Sequence, residues 1–210
     1  YDDLAGELDF NLMFSRQGHF TLGHSTAAVS GLVTRAENNK ALGVDSYVLD
    51  PQEIKKMLPE IDITDHPRFP VHGALYHPPG GIIRHDAVVW AYARGADRKG
   101  VQIHQLTEVQ DIIVENGKAT GVVTNRGTVS CNTVISVVAG WSSEVCKKVN
   151  VKLPFVTHPL QALVTQSYKP WLNHVVVSGT LHIYLSQTDR GELVCGNGID
   201  TYPHYGMRST

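Results

Sequence analysis

Gly80-Gly81-Ile82-Ile83-Arg84-His85-Asp86-Ala87-Val88, running on into a helical pattern that ends at Lys99-Gly100, is the stretch that decides the fold. The paired glycines bend the backbone, and a histidine then stands at or just before the first turn of a helix. Further along, Val134-Ile135-Ser136-Val137-Val138 has the continuous apolar run of a buried parallel strand. It ends in the small residues of Ala139-Gly140-Trp141-Ser142-Ser143 and a second helix start. Together the two stretches predict parts of a nucleotide-binding α/β layer with a histidine placed for chemistry.

From His85 to Lys99, Val88, Ala91, Tyr92 and Gly95 share one helical face, and Gly95 allows close approach of a neighbour. Gly100 then returns the chain into Val101-Gln102-Ile103, read as a strand. Glu108 to Val114, Thr120 to Thr124 and Gly127 to Cys131 follow as an antiparallel meander, with turns at Asn116-Gly117 and Asn125-Arg126-Gly127.

Upstream, Met13 to Arg16 and His19 to Gly23 read as a hairpin about Gln17-Gly18. Ser25 to Leu42 is a helix with Ser25 or Thr26 as its cap, Gly43 as its stop, and Ala28, Val29, Leu32, Val33 and Ala36 on one face. Val44 to Leu49 is a short strand. Asp50-Pro51-Gln52-Glu53 then carries a capping box with proline at the first helical position. Gly73 to Tyr76 is another strand. After residue 150 strand-like runs dominate, at Ala162–Gln166, Val175–Ser178, His182–Ser186 and Glu192–Gly196. The expected fold class is α/β plus an antiparallel sheet. The chain enters a sheet domain (1–72), crosses into a nucleotide domain (73–148) and returns to the sheet (149–210).

The 210 residues are 42% hydrophobic, enough for a packed core, and carry a net charge of -2, which gives no reason to propose nucleic acid or an acidic membrane as partner. No apolar run approaches a bilayer-spanning length, and the first residues lack the pattern of a signal peptide. Three cysteines with no Cys-x-x-Cys argue against a disulfide framework or a zinc ribbon and for a reducing, cytoplasmic compartment. The eleven histidines do not follow common metal-ligand spacings, so no metal is expected. The chain starts in what reads as a helix and stops without a closing element, as the middle of a longer protein would.

Several successions in this chain resemble one flavoprotein superfamily. They are Gly73-Ala74-Leu75-Tyr76-x-Pro78-x-Gly80-Gly81, Ala93-x-x-Ala96-x-x-x-Gly100-Val101-x-Ile103, Gly121-Val122-x-Thr124-x-x-Gly127 and Ala139-Gly140-Trp141-Ser142. Their order and spacing resemble the D-amino-acid oxidase and sarcosine oxidase superfamily. Two finer motifs, Gly81-Ile82-Ile83-Arg84-His85-Asp86-Ala87-Val88-x-Trp90 and His158-Pro159-Leu160-Gln161-Ala162-Leu163-Val164, resemble the β subunit of heterotetrameric sarcosine oxidase. The resemblance implies a partial FAD-binding Rossmann-like domain interleaved with an antiparallel substrate domain. The family's Gly-x-Gly-x-x-Gly pyrophosphate grip is not found between residues 1 and 210.

The resemblance assigns cofactor roles to five residues. His85 would carry FMN covalently through the 8α carbon of the flavin. A helix N-terminus beside it favours the neutral, nucleophilic imidazole, while Asp86 opposes this, and the residues leave the balance open. Val109 would meet the FAD adenine through its backbone. Ala139, Gly140 and Trp141 would form a turn at the flavin, although sarcosine oxidase β subunits often place a histidine where Trp141 stands. His158 is a further candidate for the flavin or subunit interface, and His182 and Tyr184 for the substrate cavity. Each also has a plain structural reading: a water-exposed cap residue for His85, a core valine for Val109, a tight strand-to-helix turn for residues 139–141.

The implied activity is oxidation of a secondary amine such as sarcosine. Electrons would pass from FAD to covalent FMN and then to dioxygen, within a complex of other sarcosine oxidase subunits. A single-subunit FAD-dependent amine or amino-acid oxidase and a cofactor-free assembly module are the alternatives. Ser142-Ser143 lacks the setting of a hydrolase nucleophile.

Overall fold

The computed structural model describes residues 1–206. They form two compact units, Tyr1–Ala96 with Leu160–Gly198, and Asp97–Pro159 with the chain from Ile199 onward. In chain order the elements are α1 (Asp2–Glu7), β1 (Ser15–Arg16), β2 (His19–Gly23), α2 (Thr26–Ala41), β3 (Tyr47–Leu49), α3 (Pro51–Met57), β4 (Gly73–His77), β5 (Gly81–Ile82) and α4 (His85–Arg98). Then come β6 (Val109–Glu115), β7 (Lys118–Thr124), β8 (Gly127–Ser130) and α5 (Ser142–Lys147). The chain returns through β9 (Leu160–Ser167), β10 (Val175–Ser178), β11 (Ile183–Gln187) and β12 (Glu192–Ile199).

The first unit is built on a seven-stranded sheet of order β3-β4-β2-β10-β11-β12-β9, so early and late strands share one sheet. β2 and β10 run parallel, while β3–β4, β4–β2, β10–β11 and β11–β12 are antiparallel. Its core holds Phe20, Ile54, Leu58, Val71, Ala74 and Leu172, with Leu32, Ala36 and Leu75 in a second cluster under α2. Gly23 and Gly73 are cross-strand partners, and a Cβ on Gly23 would meet Val29 Cγ2 at 2.9 Å. The missing side chains are what let α2 lie on the sheet. The helix signals are realised: Ser25 Oγ accepts from Ala28 N–H, Gly43 takes φ +74°, and Asp50 and Glu53 close the capping box before Pro51.

Five local expectations are overturned. β1 does not pair with β2; it pairs with β5, Ser15 opposite Ile82 and Arg16 opposite Gly81. The N–H groups of both Gln17 and Gly18 donate to Gly80 O, at 3.1 and 2.8 Å, so the turn is tied to the paired glycines. Gly81 lies so flat on β1 that a Cβ would come within 2.0 Å of Ser15 O, which explains the glycine. On α4 the buried stripe is Ala87, Ala91 and Gly95, one residue per helical turn, whereas Tyr92 is exposed. On α2, Val33 is exposed and only Leu32 and Ala36 are buried.

Val101–Ile103 and Val134–Val138 form the other two corrections. Neither is a strand, and Ile135 and Val137 are 81% and 86% exposed. An apolar parallel strand forms only between hydrogen-bonded neighbours, and none of the described residues pairs with either segment. The second unit's sheet is the three-stranded β6-β7-β8 meander, turned by Asn116 and Gly117, both at positive φ as a two-residue hairpin loop requires.

Candidate functional site: an exposed histidine and a flavin-type turn

His85 is the first residue of α4, following directly on Ile83 and Arg84. It is exposed, and among the described residues no group hydrogen-bonds either ring nitrogen. Its two neighbours are bound to each other. Arg84 meets Asp86 in a two-pronged ion pair, Nε to Oδ1 at 3.2 Å and Nη2 to Oδ2 at 2.9 Å, and Asp86 Oδ1 also accepts from Ala87 N–H. The Arg84 guanidinium holds the Asp86 carboxyl below the usual carboxylate range, with Ala87 N–H and the His85 charge adding to the effect. The carboxylate whose influence on His85 was open in the sequence is therefore matched by its own counter-charge.

The other four predicted cofactor residues lie in the second unit. Val109 opens β6, at the edge of the meander. Asn125 N–H donates to Glu108 O at 3.1 Å and Asn125 Oδ1 accepts from Glu108 N–H at 3.0 Å. Since backbone groups alternate sides along a strand, those of Val109 point away from β7 to the uncovered edge. The Val109–Thr124 pair is accordingly a non-hydrogen-bonded one, followed by a bulge before Asp111. Val109 is 42% exposed, so it is not a core valine.

Ala139–Trp141 form one turn of 3-10 helix leading into α5. Ala139 takes φ +46°, a left-handed conformation that costs an L residue about 1–2 kcal/mol. Two hydroxyls hold the turn: Ser142 Oγ donates to Ala139 O and Thr157 Oγ1 donates to Gly140 O, each at 2.7 Å. A Cβ on Gly140 would sit 3.1 Å from Thr157 Cγ2. Trp141 stacks on Tyr205 with centroids 4.7 Å apart, beside a cavity of about 300 Å³ whose walls include Lys147, Lys152 and Phe155. Ser142 stands only three residues after Ala139, within the stretch read from sequence as a helix start. Thr157 and Tyr205 left no such trace, because nothing in the sequence brings such distant residues to this turn.

His158 faces Asp200, its Nδ1 3.0 Å from the carbonyl oxygen, while Asp200 N–H donates to Pro159 O. It pins two chain segments. Tyr184 lies across Gly196, where a Cβ would come within 1.9 Å of the ring. His182, just before β11, takes φ +49°. Cys131, Cys146 and Cys195 are free thiols.

Residues 1–208 match the family described as DAO, FAD dependent oxidoreductase. This chain belongs to that family. It is similar to sarcosine oxidase subunit beta of an Arthrobacter species, 43% identical over 208 residues that cover 99% of this chain and 51% of that protein. The Rhodobacter capsulatus protein of the same description is 38% identical over 210 residues, all of this chain and 50% of that one. Among solved structures, L-proline dehydrogenase from P. horikoshii superposes with a TM-score of 0.86 at 26% identity, over all of this chain and 55% of the other. The chain spans about half the length of the curated relatives it matches. The DAO fold thus accounts for an α/β layer interleaved with an antiparallel sheet. No helix among the described residues is long and apolar enough to cross a membrane.

Proposed function

We propose that this chain is the central part of a flavin-dependent amine oxidase subunit of the sarcosine oxidase β kind, working in the cytoplasm with further subunits on a small secondary amine. The observation that carries the reading is the similarity to sarcosine oxidase subunit beta along the whole chain. The residues fit the cofactors the family uses. The outward-facing amide and carbonyl of Val109 are a donor and acceptor pair of the kind an adenine edge takes. Gly140, with Thr157 behind it, leaves backbone open to close approach, and Ala139 and Trp141 frame that turn. His85 offers a solvent-facing imidazole with both nitrogens unclaimed, as covalent attachment of FMN demands. Bound there, FAD would supply a hydride acceptor for the carbon beside the amine nitrogen, and FMN a one-electron relay toward dioxygen. The protein's own part is to hold the Arg84–Asp86 pair, keep His85 uncovered and fix the 139–141 turn through Ser142 and Thr157. In domain terms, residues 73–148 would serve the cofactor and the flanking segments 1–72 and 149–210 the substrate.

Intact mass analysis of the full-length parent flavoprotein tests the reading. The peptide containing His85 should carry one FMN that survives acid precipitation, and His85→Ala should release it. An acid-labile flavin, or an adduct on another residue, refutes the assignment. The structural match to L-proline dehydrogenase favours a second reading, an FAD-only dehydrogenase or oxidase of amino or imino acids, in which all flavin is extracted by acid.

A further inference from the structure

Asn-Gly occurs twice in this sequence, at Asn116-Gly117 and Asn197-Gly198. The dipeptide carries a reaction of its own. A glycine nitrogen is the least hindered nucleophile the backbone offers, because no Cβ stands beside it. The carboxamide of an asparagine just before it is one five-membered ring away. Whether the two groups meet depends on what holds them, and the two pairs are held differently.

Asn197 lies inside β12, opposite Ile183 on β11. Gly198 N–H donates to His182 O at 3.2 Å. The Tyr184 ring lies across Gly196, directly before the pair. To react, this nitrogen must first give up its acceptor in a strand flanked by β11 and β9.

Asn116 and Gly117 are the whole of the loop between β6 and β7, whose last cross-strand pair is Glu115 with Lys118. Both are exposed. Among the described residues no acceptor takes Gly117 N–H and no group binds the Asn116 carboxamide. A Cβ built on Gly117 would meet nothing within 4 Å, so no neighbour shields its nitrogen. Asn116 stands at φ +52°, a left-handed conformation that an L residue leaves downhill, and a hairpin tip opens more readily than the ladder behind it.

We propose that Asn116 is a site of spontaneous covalent modification, the deamidation of its side chain to aspartyl and isoaspartyl forms, and that the fold shields Asn197 from the same chemistry. Gly117 N bonds to Asn116 Cγ, the Cγ–Nδ2 bond breaks, and ammonia leaves with the proton of Gly117 N–H. Water then opens the resulting succinimide. Cleavage at Cγ gives aspartate. Cleavage at the main-chain carbonyl carbon gives isoaspartate, whose backbone runs through Cβ. Nothing is oxidised or reduced, and water is the sole co-reactant. Either product puts a negative charge next to Glu115, and isoaspartate adds one carbon to a loop of two residues. The Glu115–Lys118 and Val114–Ala119 pairs should then fray, while Val109, at the far end of β6, keeps its place. The chemistry needs no flavin and no turnover, so it stands or falls apart from the cofactor assignments.

The test is peptide mapping of the full-length parent protein, held in mildly alkaline buffer and sampled over time. Electron-transfer fragmentation separates isoaspartate from aspartate. Conversion of Asn116 should be at least about tenfold faster than that of Asn197, because only the second must break a strand hydrogen bond first. Free peptides spanning 112–121 and 193–202 should convert at similar rates, which assigns the difference to the fold. The Asn116 rate should rise with hydroxide concentration, since the attacking species is the amide anion. An Asn116 that converts no faster than Asn197, or that stays intact after its free peptide has fully reacted, overturns the proposal.

Discussion

Replacing Gln187 by leucine should loosen the turn between β11 and β12 and the segment before β10 together. The side chain is 2% exposed, and its Oε1 accepts from Trp171 N–H at 2.8 Å and Leu172 N–H at 2.9 Å. Its Nε2 donates to Gly191 O at 2.9 Å. Leucine fills similar volume and satisfies none of these. Leu172 is buried, so its orphaned N–H costs about 1–3 kcal/mol, while Trp171 N–H is partly reached by water and Gly191 O keeps the Tyr168 N–H at 3.0 Å, so each of these costs less. The apolar gain from leucine offsets about 1 kcal/mol, leaving a net loss of about 1–3 kcal/mol. Local opening would then be about 5- to 150-fold more frequent, read as faster amide exchange in the peptides covering 170–174 and 188–192. Gln187→Glu separates the two arms. It keeps an acceptor for Trp171 and Leu172 but loses the donor to Gly191, so protection should return chiefly in 170–174. Unchanged exchange in the leucine variant would refute this account of the hairpin, because no other side chain bonds these three groups.

Two further perturbations follow from the same coordinates. Burial, then Arg35 and His77, lowers the pKa of His19 below its usual 6.5, so the folded state binds fewer protons than the unfolded chain. Stability should be full above pH 6.5 and decline as the pH falls through that value, and His19→Gln should flatten the decline in urea titrations between pH 5 and 8; a slope untouched by the variant refutes it. Ala139→Gly should relieve the left-handed backbone at φ +46° and leave the protein as stable or about 1 kcal/mol more so, after the added entropy of an unfolded glycine. A clear loss of stability would show that the methyl group, rather than the backbone, is what the turn requires.

The antiparallel strands and the helix caps were legible because their signals are local. Asp50-Pro51-Gln52-Glu53 is a capping box in any context, and the Asn116-Gly117 turn needs only the two strands beside it. β10 was readable from Val175–Ser178 alone. What misled was pairing at a distance. Met13–Gly23 carries a hairpin's residues, yet the Gly80 carbonyl takes both turn amides and β5 takes β1. Val134–Val138 has a parallel strand's composition, but a strand is a property of its neighbours as well as its side chains. The 139–141 turn was found through its small residues, while the hydroxyl that locks it, on Thr157, left no local signal.

His85 shows the same division at the level of chemistry. Its sequence neighbours, one basic and one acidic, pull in opposite directions, and spacing alone cannot say which side chain faces the ring. The Arg84–Asp86 pair removes the ambiguity by spending each charge on the other. What then remains beside the imidazole is the start of α4. Breaking the pair should therefore matter more than removing both partners. Arg84→Met leaves Asp86 unmatched next to His85, whereas Arg84→Met with Asp86→Asn restores local neutrality. If His85 is the point of attachment, flavin loading at neutral pH should fall in the single variant and recover in the double one. Equal loading in all three proteins would mean that the pair merely caps the helix.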